Sequence, residues 1–272
     1  MPFGVHRNSK LIFTLSRPIV EIGFNRSVHF FRKNNMRTGL SRVICFLLTA
    51  SLLQACSGIF KKDLKEGVIE FKSEAVDAKE HASMTVPDKM TVKFKNDFSA
   101  AELEAGLGFA KMKFISDPVK KEFRSQVFFF EKKQSTMNLE ELKKTNYYLP
   151  DYDVEYGNKK KEIAGYTCKN ATIKFKDGTP SYEVWFTKDI GIKNPNWSNA
   201  YYKLDGVLMD YRLKKYGLEL HFTAISVSEA TIDDSYFTIP AEYEPVKNSE
   251  LEKMFEGFYS ISKKKKSFLA SR

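Results

Sequence analysis

In run after run between Gly67 and Val227 apolar residues return at every second position, and nothing else in this 272-residue chain limits its folding as strongly. Ile69 and Phe71 share one face of GVIEFKSEAV; Met90–Phe98 (MTVKFKNDF), Phe109–Ser116 (FAKMKFIS) and the stripe Leu218, Leu220, Phe222 repeat the pattern. Successive side chains of a strand point to opposite faces, so a period of two gives a strand one apolar face. Pro87-Asp88, Asp117-Pro118 and Asp177-Gly178 supply turn chemistry between these runs, and Asp-Gly between strands predicts a hairpin. A second hairpin is expected at Tyr201–Val227, turning at Lys215-Tyr216-Gly217. The body therefore reads as mainly β, built from antiparallel hairpins.

Three short helices interrupt this reading. Ser99 and Glu102 have capping-box spacing ahead of Gly106 and Gly108, Asn138 caps NLEELKK, and SELE opens Ser249–Phe258. Other stretches are apolar on both faces. Phe128, Phe129 and Phe130 are adjacent in a strand expected over Arg124–Gln134, as are Val184, Trp185 and Phe186. Such a strand needs cover on each side, from core, helix, partner or ligand. Tyr166 and Cys168 have one parity and Ala171 and Ile173 the other, so a bulge near Lys169-Asn170 is expected to restore a common face. Tyr147–Lys161 reads as an exposed loop leading into this hairpin.

The first 55 residues stand apart. Arg37 and Arg42 precede an apolar core from Val43 to Leu53, 11 residues long where a membrane-spanning helix needs roughly 20. Positive charge, a short apolar segment and small residues are the order of a secretory signal peptide. Its end, Leu52-Leu53-Gln54-Ala55-Cys56, resembles the lipobox of bacterial lipoproteins. That resemblance implies cleavage between Ala55 and Cys56 and acylation of Cys56, palmitate included. The expected organisation is an upstream extension 1–35, a signal peptide 36–55, a tether 56–66, one β-rich domain 67–260 and a disordered basic tail 261–272.

Removing the leader changes what the charge means. The formal +10 falls to +3, because residues 1–55 hold eight Lys/Arg against Glu21, and the last ten residues hold five more bases. The body is −2, which gives no basic surface for nucleic acid. Of three cysteines only Cys168 stays in the body unmodified, so no internal disulfide is expected. Catalytic residues, metal ligands and cofactors are not indicated. Cys168 and His221 fall on separate hairpins with no third orienting group, and Asp151, Asp153, Asp233 and Asp234 read as loop acids. A phosphate-binding loop and a serine elbow are missing. We therefore expect a non-enzyme, with a hydrolase as the last alternative.

The order Ile163-x-Gly165-Tyr166-x-Cys168-Lys169-x-Ala171, then Val184-Trp185-Phe186-Thr187-x-Asp189-Ile190, then Leu204-Asp205-Gly206-Val207-Leu208 resembles GLPGLI-type envelope proteins of Gram-negative bacteria. Those carry G-x-x-C-x-x-A, a W-[YF]-T-x-x-I strand and a Gly-Leu-Pro-Gly-Leu-Ile turn, for which Leu-Asp-Gly-Val-Leu stands here. They look like relatives of the lipoprotein carriers LolA and LolB. The resemblance covers roughly 160–240 and implies a curved antiparallel sheet or half-barrel with two or three short helices on its concave face.

With 23 Phe and 13 Tyr, that face is expected to bind a hydrophobic ligand such as a lipid or acyl chain, or an envelope partner. Phe128, Phe130, Val184, Trp185 and Phe186 are the expected lining. A Phe-packed core accounts for the same aromatic excess, and a structural or assembly lipoprotein without a ligand is the alternative function. The expected location is the outer membrane, facing the periplasm, with the membrane reached through the N-terminal lipid.

Overall fold

The structure, a computed structural model, describes residues 63–76, 86–145, 151–215, 218–255 and 257. The chain divides into two compact units, Met1–Ser57 and Gly58–Arg272, and every described residue belongs to the second. The signal peptide, Ala55, Cys56, the extension 1–35, the tail 261–272 and the turn at Tyr216-Gly217 lie outside the described residues.

Twelve strands form one curved, open sheet. β1 (Glu66–Ala75), β2 (Lys89–Lys95), β3 (Phe98–Ala105), β4 (Ala110–Asp117), β5 (Glu122–Phe129) and β6 (Glu131–Asn138) run as one antiparallel meander. β7 (Tyr152–Ile163), β8 (Tyr166–Phe175), β9 (Tyr182–Thr187), β10 (Val207–Lys215) and β11 (Leu218–Glu229) form a second. The two halves join where β1 pairs with β11. A two-residue β12 (Glu244–Pro245) lies parallel to β6 at one edge, and β7 forms the other.

Register assigns the faces. Ile69 lies opposite Val92, Leu103 opposite Met112, and Met112 opposite Val127, so these side chains share what we call the inner face. Phe222 and Leu220, opposite Tyr211 and Leu213, continue it. Helix α1 (Leu139–Lys143) packs its fully buried Leu142 with Phe123 and Met137 on this face. Asn138 caps α1 as expected, its side chain accepting from the Glu141 N–H at 2.9 Å while the Glu141 carboxylate accepts from the Asn138 N–H. A second helix, α2 (248–255), brings Leu251 and Phe255 into the same core as Leu103, Met112 and Val127. On the outer face the segment 230–239 covers β3 and β4 with Ile232 and Phe237.

Three expectations of element type are corrected. The helix at Ser99 is strand β3, because Asn96-Asp97 makes a tight reversal after β2 and the segment finds ladder partners on both sides. Pairing and burial of Ala100 and Leu103 override the helix preference of an Ala- and Glu-rich run. Arg124–Gln134 is two strands, reversing at Phe130, whose φ is +66°. The described part of Tyr147–Lys161 is not a loop; it belongs to β7, which turns into β8 at Ala164-Gly165 with both φ values positive, as a two-residue hairpin turn of mirror-image type requires.

The bulge expected in β8 is absent. Its register with β9 is unbroken, and the irregularity sits across from it in β7 between Tyr156 and Lys160. The two parities of β8 remain on two faces. Ala171 and Ile173 enter an inner core with Val184, Tyr201 and Leu204, while Tyr166 and Cys168 are buried on the outer side. The Asp177-Gly178 hairpin and the buried stripe Leu218, Leu220, Phe222 are as expected.

Because α2 covers the inner face through one fully buried leucine, Leu251→Ala should cost about 2–5 kcal/mol in denaturant unfolding. A loss below about 1 kcal/mol would show that α2 does not seat on the sheet.

Candidate ligand-binding cavity

The inner face is too long for two short helices to cover, and the connection between β9 and β10 does the rest. Residues 188–206 leave the sheet after Thr187 and return at Val207. Its sequence, rich in Asn with Pro195, Trp197 and paired tyrosines, makes a loop that must still bury aromatic surface. Gly191 donates its N–H to the Leu64 carbonyl at 2.9 Å, and Lys193 donates to the Asp97 carboxylate at 2.8 Å. Farther along, Ser198 Oγ donates to Ser116 Oγ on β4 at 2.9 Å, and Trp197 packs with Phe123, Met137 and Leu142. The strap thus crosses from β9 over β1 and β4 to β5.

Asn196 closes the strap on itself. Its buried Nδ2 donates to the Leu204 and Gly206 carbonyls, each at 2.9 Å. Tyr201, fully buried, ties the returning arm down by donating to the Arg212 carbonyl, and its hydroxyl lies 2.9 Å from that of Tyr182. Burial, then the neighbouring Tyr182, hold Tyr201 well above the ordinary phenol value, so it is a neutral hydrogen-bonding group at any working pH.

Between strap and sheet is a cavity of about 200 Å³. The sheet provides Phe71, Val92, Ala101, Met112 and Phe222; the strap provides Ile192, Pro195, Ala200 and Tyr201. Liquid water occupies about 30 Å³ per molecule, and an apolar cavity of about 150 Å³ accepts benzene. The space suits a short alkyl or aromatic group better than a cluster of water, because few polar groups face it.

None of the five residues expected as lining reaches this cavity. Val184 and Phe186 do face inward but are packed solid with Tyr201 and Leu204. Trp185 points to the outer face, half-buried, with the Lys161 ammonium 4.8 Å from its ring. Phe128 follows Val127 and therefore also faces outward, and Phe130 is 83 % exposed at the β5–β6 reversal. The strap residues that roof the cavity carry no strand or helix periodicity, so a search for stripes passes over them. Their one signal is three aromatics, Trp197, Tyr201 and Tyr202, inside a turn-rich stretch.

Cys168 and His221 are engaged elsewhere. The buried Cys168 thiol donates to the Tyr166 carbonyl at 3.5 Å, and His221 Nε2 lies 2.7 Å from Asp210 Oδ1. Burial acts to raise the Asp210 carboxyl, but hydrogen bonds from Lys161 and His221 outweigh it and hold the group below the usual carboxylate range. No group of three or more His, Cys, Asp or Glu among the described residues is placed to hold a metal ion. Among these residues, too, no helix is long and apolar enough to cross a membrane.

No family model matches the chain, and no curated protein does. Two solved structures of PNGF-II, in space groups P21 and C2, share 16 % identity with it at a TM-score of 0.47. Each likeness covers 71 % of this chain, which spans about a third of the PNGF-II chain. Similarity at that level bears on neither activity nor ligand.

Burial, with the Glu162 charge adding to it, pushes the Cys168 thiol up to about 12. At pH 8 its thiolate is about one part in ten thousand, so in a chain with Cys45 and Cys56 replaced by Ser the folded protein should leave a disulfide reagent unreacted for hours and consume one equivalent at Cys168 on unfolding. Rapid labelling of Cys168 in the folded state would contradict this placement.

Proposed function

We propose that this chain is a lipid-anchored protein of the Gram-negative cell envelope whose β domain holds a hydrophobic ligand between its strap and the inner face of its sheet. The observation that carries the binding half is the apolar cavity itself, a space that packed side chains do not fill although protein interiors are ordinarily close-packed. Anchoring is supported by the apolar run Val43–Leu53 and the Leu-Gln-Ala-Cys ending at Cys56. Acyl chains on Cys56 would put the domain within reach of lipids, each buried CH₂ adding about 0.8 kcal/mol to membrane attachment. An assembly role without a ligand is the competing reading.

The two tryptophans allow a direct test. Trp197 packs against Phe123, which lines the cavity, whereas Trp185 is on the other face. In a Trp185→Phe background, titration with a medium-chain fatty acid should shift Trp197 fluorescence with saturation. Ala101→Leu, which fills the floor of the cavity, should weaken that binding by about tenfold or more while leaving the circular dichroism unchanged. Absence of any saturable shift in the parent protein favours the assembly reading.

A further inference from the structure

Of the five lysines on β7 and β8, three reach a carboxylate and two do not. Lys159 pairs with Glu183 at 3.1 Å, Lys161 with Asp210 at 2.8 Å and Lys174 with Glu155 at 2.6 Å. Lys160 and Lys169 have no ion partner among the described residues, and they stand directly opposite each other on the inner face, with Phe186 of β9 next in the row. Like charges placed this way are about 5 Å apart at Cβ and destabilise a strand pair.

An irregularity in β7 makes this pairing. Tyr156 lies opposite Ala171 and Lys160 opposite Lys169, so Gly157, Asn158 and Lys159 face the single residue Asn170. Without the two extra residues Asn158 would meet Lys169. Asn170, 5 % exposed, holds the bulge: its Oδ1 accepts from the Lys159 N–H at 3.0 Å and its Nδ2 donates to Glu183 at 2.9 Å. A Cβ on Gly157 would lie 2.3 Å from that carboxamide, so glycine alone fits there. Lysines and bulges on an edge strand also keep sheets from pairing edge to edge, which accounts for β7 but not for Lys169, on the interior strand β8.

Both lysines line a recess of about 630 Å³, together with Phe186, Lys188, Asp189 and Asp205. Lys188 takes up Asp205, and Glu162, next to Lys160 on the same face, accepts from the Thr167 hydroxyl at 2.5 Å. Three ammonium groups against two carboxylates leave the lining one positive charge in excess. The recess also lies where the chain arrives from its N-terminal side. The Asp189 carbonyl accepts from the Asp63 N–H at 2.9 Å, and Asp63 is seven residues from Cys56, at most about 25 Å of extended chain.

We propose that this recess binds the phosphate of a phospholipid headgroup, a phosphodiester monoanion lying between the Lys160 and Lys169 ammonium groups. An ammonium is a compact point charge that holds phosphate without a fixed planar geometry, and one monoanion offsets the excess charge. The site is separate from the cavity and stands without it; the choice of lipid as the source of the phosphate rests on anchoring at Cys56, as proposed above.

The test titrates glycerophosphoglycerol, the acyl-free headgroup of phosphatidylglycerol, and inorganic phosphate separately into the full chain at low salt, with binding read from amide shifts around the recess. The headgroup should bind saturably. Lys160→Gln and Lys169→Gln should each weaken it about threefold and together about tenfold, whereas Lys174→Gln, on β8 but paired with Glu155, should leave it unchanged. Both recess lysines are exposed, so these changes remove repulsion rather than packing, and the double variant should melt no lower than the parent. Saturation by inorganic phosphate alone keeps the anion site and overturns the lipid source. Equal weakening by Lys174→Gln, or no saturation by either probe, overturns the site. Acylation of Cys56 is read separately from the mass of the chain, so failure of the site and failure of the anchor are told apart.

Discussion

An open sheet of twelve strands exposes a long apolar face, and the strap between β9 and β10 is what this chain sets against it. Two helices, one of five residues, seat Leu142 and the pair Leu251 and Phe255 at the β4–β6 end. The middle of the face is left to an irregular segment whose backbone groups must be satisfied one at a time. Asn196 does this from within for two carbonyls, the Gly191 and Lys193 N–H groups find Leu64 and Asp97, and the Ser198 and Tyr201 side chains tie the segment to the sheet. An irregular roof held at discrete points leaves space beneath it where a helix packed ridge into groove would not. The cavity is the consequence.

The same constraint explains why the two faces of the second meander differ from those of the first. β8 is buried on both sides because Ala171 and Ile173 face the returning arm of the strap while Tyr166 and Cys168 pack on the outer face. Farther in, the outer face is wet and charged, with pairs such as Lys89–Glu70 at 2.7 Å and Lys161–Asp210 at 2.8 Å. Exposed pairs of this kind add little stability, about 0–1 kcal/mol each, and mainly keep that side soluble. The apolar inner face is thus the side on which burial drives folding and on which a ligand would find room.

Strand content was legible in the sequence because a period of two is a direct image of the pleat, and Asp177-Gly178 and the Asn138 cap are local signals with local causes. Ser99–Ala105 misled because its composition favours helix locally and only its neighbours make it a strand. Phe130 misled because a bulky residue at positive φ is rarely a reversal point. The pairs Val184/Phe186 and Trp185 were separable by parity, but parity alone does not say which side is empty. That depends on the strap, whose path is set by long-range contacts such as Ser198 to Ser116, 82 residues apart in sequence.

The central claim is that the strap and the sheet hold a hydrophobic ligand in a protein anchored at Cys56. Native mass spectrometry of the protein extracted from its own envelope tests both halves in one spectrum. The account predicts a chain beginning at Cys56 with acyl groups attached, accompanied by a non-covalent adduct of lipid mass that is lost on collisional activation and is absent from the Ala101→Leu protein. An unmodified chain retaining residues before Cys56, with no adduct under conditions that preserve the fold, would contradict it.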